Sequence, residues 1–283
     1  MMDTPKALDR KIREVVAAKE EIRLKSENFV IRIIPFANDA YRISMSENDE
    51  FDLRQGEEYI NQPAADYSIL ENDDEVIVSS GQSTIVVNKA TGSISATTED
   101  GCRFNEARLE SKKLEKYDVW RYKKDSVVKV EKITTPDGVK SRVSGGVKEY
   151  EGQLYRTWLN FSLASDEILV GLGQSEEGVM NLRHTTRYLH QANRKISVPV
   201  LISNKGYGIV MSTMSPAIFR DDEYGSYIFT EGDRFLDYYL VLSRDPKDVV
   251  KFMRRLSGKA VMVPKWAFGY LHSQERFESE EEL

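Results

Sequence analysis

Three histidines (His184, His190 and His272), one cysteine (Cys102) and the adjacent pair Glu176–Glu177 are the side chains best suited to acid–base, nucleophilic or metal chemistry in this sequence. A metal site needs three or four converging ligands. His184 and His190 stand six residues apart, a spacing that puts both on one face of a strand, but nothing nearby supplies the remaining ligands. They read as solvated or hydrogen-bonded histidines. Glu176 and Glu177, as neighbours in an extended chain, point to opposite faces, which is poor geometry for a paired acid and base. Cys102 has no partner for an internal disulfide or a zinc site, and Gly-x-Ser-x-Gly is absent. Gly171-Leu172-Gly173-Gln174-Ser175-Glu176 begins like a dinucleotide fingerprint, yet Glu176 replaces the third glycine and would set a carboxylate beside the pyrophosphate. It reads as a tight turn at the end of a strand. Spacing alone therefore identifies no catalytic site, no metal and no cofactor.

The aromatic residues offer a second chemistry, because sugar rings lie flat on tryptophan and tyrosine faces. Trp120, Tyr122, Tyr155 and Trp158 are the candidates, set against the alternative that they fill a β core. Net charge narrows the partners. Lysine and arginine number 40 against 46 aspartates and glutamates, a net charge of −6 without a basic cluster that would hold a phosphate backbone, so nucleic acid is not expected. No run approaches the roughly twenty apolar residues that span a bilayer. With one cysteine and no apolar leader, a cytoplasmic protein is the simplest expectation.

The elements that must position any site are mostly strands. Residues 6–22 carry Ile12, Val15, Val16 and Ile22 at roughly helical spacing and predict a short surface helix or a frayed tail. From Ile22 the period changes to two. Phe29–Ile34 and Tyr41–Met45 read as a hairpin around Pro35 and Asn38-Asp39. Short β-branched runs follow at 66–70, 75–78, 83–87, 93–96, 127–133, 153–163, 196–203, 207–211 and 235–242. Many such runs with Gly, Asn and Asp between them predict antiparallel sheets packed as a sandwich or barrel. One helix stands out: Asp245 caps it, Pro246 suits its first position, Val249, Phe252, Met253 and Leu256 make one apolar stripe, and Gly258 closes it. Beyond it, Val263–Leu271 reads as a buried strand and Ser279-Glu280-Glu281-Glu282 as a helix start, the first half of a βα unit.

Three stretches in this order resemble the N-terminal part of glycoside hydrolase family 31, the α-glucosidases and α-xylosidases. Leu169–Gln174 is similar to the family's "YGLGE" segment, and Lys195–Ile209 to its "P-F-x-x-S-x-x-G-Y-G" strand pair. Leu256-Ser257-Gly258 with Pro264–Tyr270 is similar to its "L-T-G … P-x-W-A-x-G", which opens the catalytic (β/α)₈ barrel. The resemblance implies a galactose-mutarotase-like antiparallel β-sandwich, a short linking helix and the first strand of the barrel. The expected division is a helix or tail over 1–21, the sandwich over 22–243, the link over 244–262 and the start of a truncated barrel over 263–283.

The family's chemistry is retaining hydrolysis of an α-glycosidic bond by two barrel aspartates, one a nucleophile and one an acid/base. The nucleophile signature, similar to "W-x-D-x-N-E", is absent here, so the resemblance implies a supporting sandwich that cannot carry the reaction alone. Its substrate would be an α-glucoside or α-xyloside oligosaccharide. The loop before the second stretch implies outer sugar contacts by His190, Gln191, Asn193 and Arg194, although it lacks the family's usual tryptophan and Gln174 replaces a glutamate. A non-catalytic carbohydrate-binding module is the alternative, but it would not need the βα start. An aldose mutarotase, which needs a general base and acid in the cleft, ranks behind both. The 266–271 strand, left without barrel neighbours, is expected to dock on the sandwich, disorder, or pair with another chain as a homo-oligomer.

Overall fold

Buried and less buried residues alternate along runs such as Glu75–Ser80 and Ser83–Asn88, and the pleat gives such strands two different faces. The computed structural model describes residues 9–36, 39–51, 64–136, 138–271 and 278–282. An eight-stranded sheet runs in the order Glu14–Ala17, Ile22–Lys25, Val30–Phe36, Ala40–Ser46, Leu236–Leu242, Tyr207–Met211, Ile196–Ser203 and Leu169–Gln174. A five-stranded sheet orders Lys112–Tyr122, Lys148–Phe161, Gly225–Asp233, Ala217–Asp222 and Thr186–Leu189. A second five-stranded sheet is a meander from Ser68–Glu71 through Glu75–Ser80, Ser83–Asn88 and Ile94–Thr98 to Arg103–Asn105. Val128–Thr135 and Gly138–Gly145 form a separate two-stranded ribbon.

One apolar cluster joins the three larger sheets. Ile31, Ile33, Tyr41 and Ile43 from the eight-stranded sheet meet Val76, Val78, Ile85 and Val87 of the meander and Leu159, Phe219 and Ile228 of the other sheet. The expected sandwich is therefore observed. The outer face of the eight-stranded sheet is covered by the helix Pro246–Ser257, whose Val249 and Phe252 pack on Ala40, Val210, Tyr239 and Val241. Its predicted caps are in place: the Asp245 carboxylate accepts from the Lys247 N–H at 2.9 Å, and Gly258 takes φ 79°. Gly208 lets the helix approach, since a Cβ there would stand 2.5 Å from both Val249 methyl carbons.

Three expectations fail. The helix read over 6–22 is instead the strand Glu14–Ala17, paired with Ile22–Lys25; residues 6–8 lie outside the described residues. Val15 and Val16 are β-branched, and pairing satisfies backbone groups that an exposed edge would leave open. The strand read over Val263–Leu271 is a 3₁₀ turn at Lys265–Phe268, with Trp266 73% exposed. A parallel strand needs neighbours to pair with; here the backbone satisfies itself locally, the Ala267 N–H donating to the Pro264 carbonyl at 2.9 Å. The segment does not dock on the sandwich. Ser279 precedes a 3₁₀ turn, Glu280–Glu282, rather than an α-helix.

The three sheets also share one buried polar group. The Glu106 carboxylate accepts from the Tyr238 hydroxyl at 2.6 Å and from the Ile94 N–H at 2.8 Å, and it pairs with the Lys112 ammonium, which also donates to the Gly92 carbonyl at 3.0 Å. Burial pushes the Lys112 ammonium down and the adjacent Glu106 charge opposes it. Removing one ion of such a pair strands the other, at a cost of about 3–5 kcal/mol. Glu106→Gln and Lys112→Met are each expected to lose about that much by urea denaturation, and the double variant much less than their sum, the signature of coupling.

Asp233 is the other buried carboxylate with a consequence. Burial raises it to about 6, with Asp237 adding to the rise, while hydrogen bonds from Thr230 and Thr213 oppose it. Its folded value lies above its unfolded one, so its contribution is fully present below about pH 4 and is lost as pH rises through about 6. The stability of Asp233→Asn, compared with the parent from pH 4 to 7, should therefore gain relative to it across that window, by up to about 3 kcal/mol.

Candidate functional site

The strand Leu169–Gln174 is irregular. Gly171 pairs with Leu201 and Gly173 with Ser197, so the partner strand advances four residues while this one advances two. Val198 and Pro199 lie in the excess, and a proline, having no N–H to give the ladder, suits such a bulge. Gly171, Leu172 and Gly173 all take positive φ, at 117°, 62° and 94°. A Cβ on Gly173 would meet the Ile196 carbonyl oxygen at 1.9 Å, so only glycine allows this approach. The chain then turns through Glu176 and Glu177 and returns as Thr186–Leu189.

These segments wall two neighbouring cavities. The larger, about 540 Å³, is lined by the glycine bulge, Met180, Arg187, Tyr188 and Lys195. The smaller, about 280 Å³, is lined by His190, Gln191, Pro199, Thr213, Met214 and Pro216. Leu189 and Ser197 border both. In the larger cavity the Glu177 carboxylate pairs with the Arg187 guanidinium and stands 3.5 Å from the Lys195 ammonium. The Arg187 Nε is buried with no acceptor among the described residues, a donor suited to a hydroxyl or carbonyl oxygen. Behind the smaller cavity, the Thr213 hydroxyl donates to Asp233 at 2.9 Å.

The four expected loop residues divide between roles. His190 and Gln191 reach the smaller cavity, where the Ser197 hydroxyl donates to the His190 carbonyl at 3.0 Å and the Ser197 N–H to the Gln191 side-chain oxygen at 3.3 Å. Asn193 and Arg194 sit at the tip of the turn Ala192–Lys195 and line neither cavity; Arg194 has φ 64° and its guanidinium lies 3.3 Å from Glu176. His184 and His190 do not share a strand face, because one precedes Thr186–Leu189 and the other follows it. His184 takes φ 60°, and its N–H donates to Asp221 at 2.6 Å. Glu176 and Glu177 occupy a turn, not a strand, so alternation does not separate them. His272 lies outside the described residues. Among the described residues no cluster of three or more His, Cys, Asp or Glu is arranged to hold a metal.

The aromatic platform does not assemble. Tyr155 is buried and donates to Glu47 at 3.2 Å, while Trp158 packs on Phe229 at 4.9 Å. Trp120 and Tyr122 are exposed, Trp120 standing edge-on to Tyr150 at 5.6 Å, and neither lines either of these two cavities. Arg187, Tyr188, Ser197 and Thr213 were not legible as site residues. A strand position and a Thr-Met-Ser-Pro turn carry no mark of the cavity that distant pairings create.

A family model for the glycosyl hydrolase 31 N-terminal galactose mutarotase-like domain matches residues 30–219. The α-xylosidase of Saccharolobus solfataricus is 34% identical over 113 residues, 40% of this chain and 16% of that protein. α-Xylosidase A of Aspergillus niger is 28% identical over 137 residues, 47% of this chain and 18% of that protein. Among solved structures, a GH31 α-xylosidase from a soil metagenome, complexed with xylose, superposes with a TM-score of 0.69 at 17% identity, over 90% of this chain and 36% of that one. A GH31 dextranase of Flavobacterium johnsoniae, complexed with glucose, gives 0.66 at 17% identity, over 94% and 30%. The chain thus spans under a fifth of these curated relatives and about a third of these solved chains. With the sandwich in place and the family model covering most of its strands, the chain belongs to the glycosyl hydrolase 31 N-terminal galactose mutarotase-like domains.

Proposed function

We propose that this chain is the N-terminal sandwich of a retaining α-glycosidase acting on α-xyloside or α-glucoside oligosaccharides, whose catalytic aspartates stand on a barrel outside it. The match to the family over 30–219 carries the reading. The division follows: a sandwich that takes in the Glu14–Ala17 strand and runs to 243, a link over 244–262, and 263–283 leading into the barrel. Retaining hydrolysis needs two carboxyl groups about 5 Å apart. Glu177 is the one carboxylate lining the two cavities described, and it is tied up in ion pairs with Arg187 and Lys195. The sandwich supports the barrel, and the loop with His190, Gln191, Asn193 and Arg194 shapes the outer sugar subsites. Exposed imidazole, amide and guanidinium groups on one short turn suit neutral hydroxyls, which both donate and accept.

Hydrolysis of p-nitrophenyl α-xyloside and α-glucoside, by this chain and by the longer protein that carries a barrel, tests the reading. Turnover is expected only in the longer protein; turnover by the 283-residue chain would overturn it. In the longer protein, Gln191→Ala and Arg194→Ala should each raise KM for an oligosaccharide about threefold to tenfold, the worth of one hydrogen bond. The kcat on the p-nitrophenyl monoglycosides, which do not reach outer subsites, should stay unchanged. Unaltered KM on the oligosaccharide would remove the loop from the substrate's path.

A further inference from the structure

The outer face of the five-stranded sheet that begins with Lys112–Tyr122 carries one continuous row of side chains. Register sets it strand by strand: Lys113 lies across from Trp158, Trp158 from Phe229, Phe229 from Ile218, and Ile218 from Tyr188. Their chain neighbours Leu159, Ile228, Phe219 and Leu189 are buried in the sandwich, so alternation turns the whole row outward. Trp158, Phe229 and Ile218 are half-buried, and Tyr188 is 57% exposed. Five strands at their usual spacing make the row roughly 19 Å long. Of the four aromatics singled out in the sequence, only Trp158 belongs to it.

The row is one residue wide. Along one side runs a polar row in the same register, Asn160, Tyr227, Arg220 and Thr186. Along the other stand Glu115 and Arg156, 3.1 Å apart. The flanking cations already face acids, Arg220 at 2.5 Å from Asp222 and Lys113 at 3.5 Å from Glu115.

That pattern selects an occupant. A protein partner of ordinary affinity covers about 800 Å² on each side around a broad apolar centre, far wider than a single file. An anionic polymer would need cations not already paired. A peptide strand adds to a sheet's edge and does not cross its face. An apolar file between hydrogen-bonding files fits a linear, neutral chain whose units have an apolar face and hydroxyl edges, which is a chain of pyranose rings. Position agrees with chemistry: Tyr188 also lines the larger cavity and stands two residues before His190, which lines the smaller one.

We infer that this row is an extended track for a neutral polysaccharide, which continues from the His190 loop across the five strands. Its rings lie on Tyr188, Phe229 and Trp158, and its hydroxyls meet the flanking polar rows. Lys113, whose ammonium stands 4.5 Å over the Trp158 ring, swings aside on its flexible stem and donates to the sugar. The identity of the sugar, α-glucosyl or α-xylosyl, rests on the α-glycosidase reading; the track itself does not.

Native electrophoresis of the 283-residue chain and of the longer protein, through gels holding dextran (an α-glucan) or xyloglucan (which bears α-xylosyl branches), tests this. Both proteins should be retarded by at least one polysaccharide, and the binding should change little with salt. Tyr188→Ala and Trp158→Ala should each weaken it about fivefold to tenfold, and Trp158→Phe, which keeps a flat ring, should recover most of the loss. Circular dichroism of each variant checks the fold. No retardation by either polysaccharide would overturn the track, while the hydrolysis assay judges the α-glycosidase reading separately. Retardation indifferent to Tyr188→Ala and Trp158→Ala would overturn it as well. So would retardation of the short chain but not of the longer protein, since that gives the row to the barrel as an interface.

Discussion

Glu106 is the point at which the three main sheets are held in one arrangement. Its carboxylate takes a hydroxyl from Tyr238 in the eight-stranded sheet, an N–H from Ile94 in the meander and the ammonium of Lys112 at the start of the third. Apolar packing alone is tolerant of small slides, because methyl groups of similar size can exchange neighbours. A buried carboxylate is not tolerant: each displaced donor leaves an oxygen or a cation unpaired in a low dielectric. The network therefore adds alignment more than net stability. Burial holds the Tyr238 hydroxyl far above its ordinary titration range, so it stays a donor at any working pH.

The outer face of the eight-stranded sheet follows a similar division. Over part of it the helix supplies Val249 and Phe252; the same face carries an ion pair, Arg42 with Asp237 at 2.5 Å, to which the Ser44 hydroxyl also donates at 2.7 Å. Strand alternation explains why both exist. Ile31, Ile33 and Ile43 point into the sandwich, so Arg32, Arg42 and Ser44 must point out, where they need partners of their own.

Local patterns made the sandwich legible. Period-two runs at 30–36, 75–80, 83–88 and 207–211 carry their own two faces, and Asp245, Pro246 and Gly258 mark both ends of the helix. What failed were segments whose state is decided from outside. Glu14–Ala17 is a strand because Ile22–Lys25 offers an edge, and Lys265–Phe268 is a turn because no strand lies beside it among the described residues. The candidate site was half legible. A polar loop at 190–194 was visible in composition, and the structure carries two of its members to a cavity and two to a turn tip. Arg187 and Thr213 were invisible, being brought together with the loop by pairings across the sheets.

Backbone strain points to the same region independently of side chains. Of the non-glycine residues with positive φ among those described, Leu172, His184 and Arg194 all lie between the glycine bulge and the end of the 190–194 loop. Each such residue costs about 1–3 kcal/mol unless its surroundings hold it. Leu172 is held by burial, His184 by its N–H to Asp221, and Arg194 by a closed turn with a salt link to Glu176. Strain fastened at three places by three different means leaves the loop little freedom to rearrange. A loop that meets a sugar benefits from that, because a hydroxyl array is recognised by donors already in place, and ordering them on contact would consume the small energy each hydrogen bond provides.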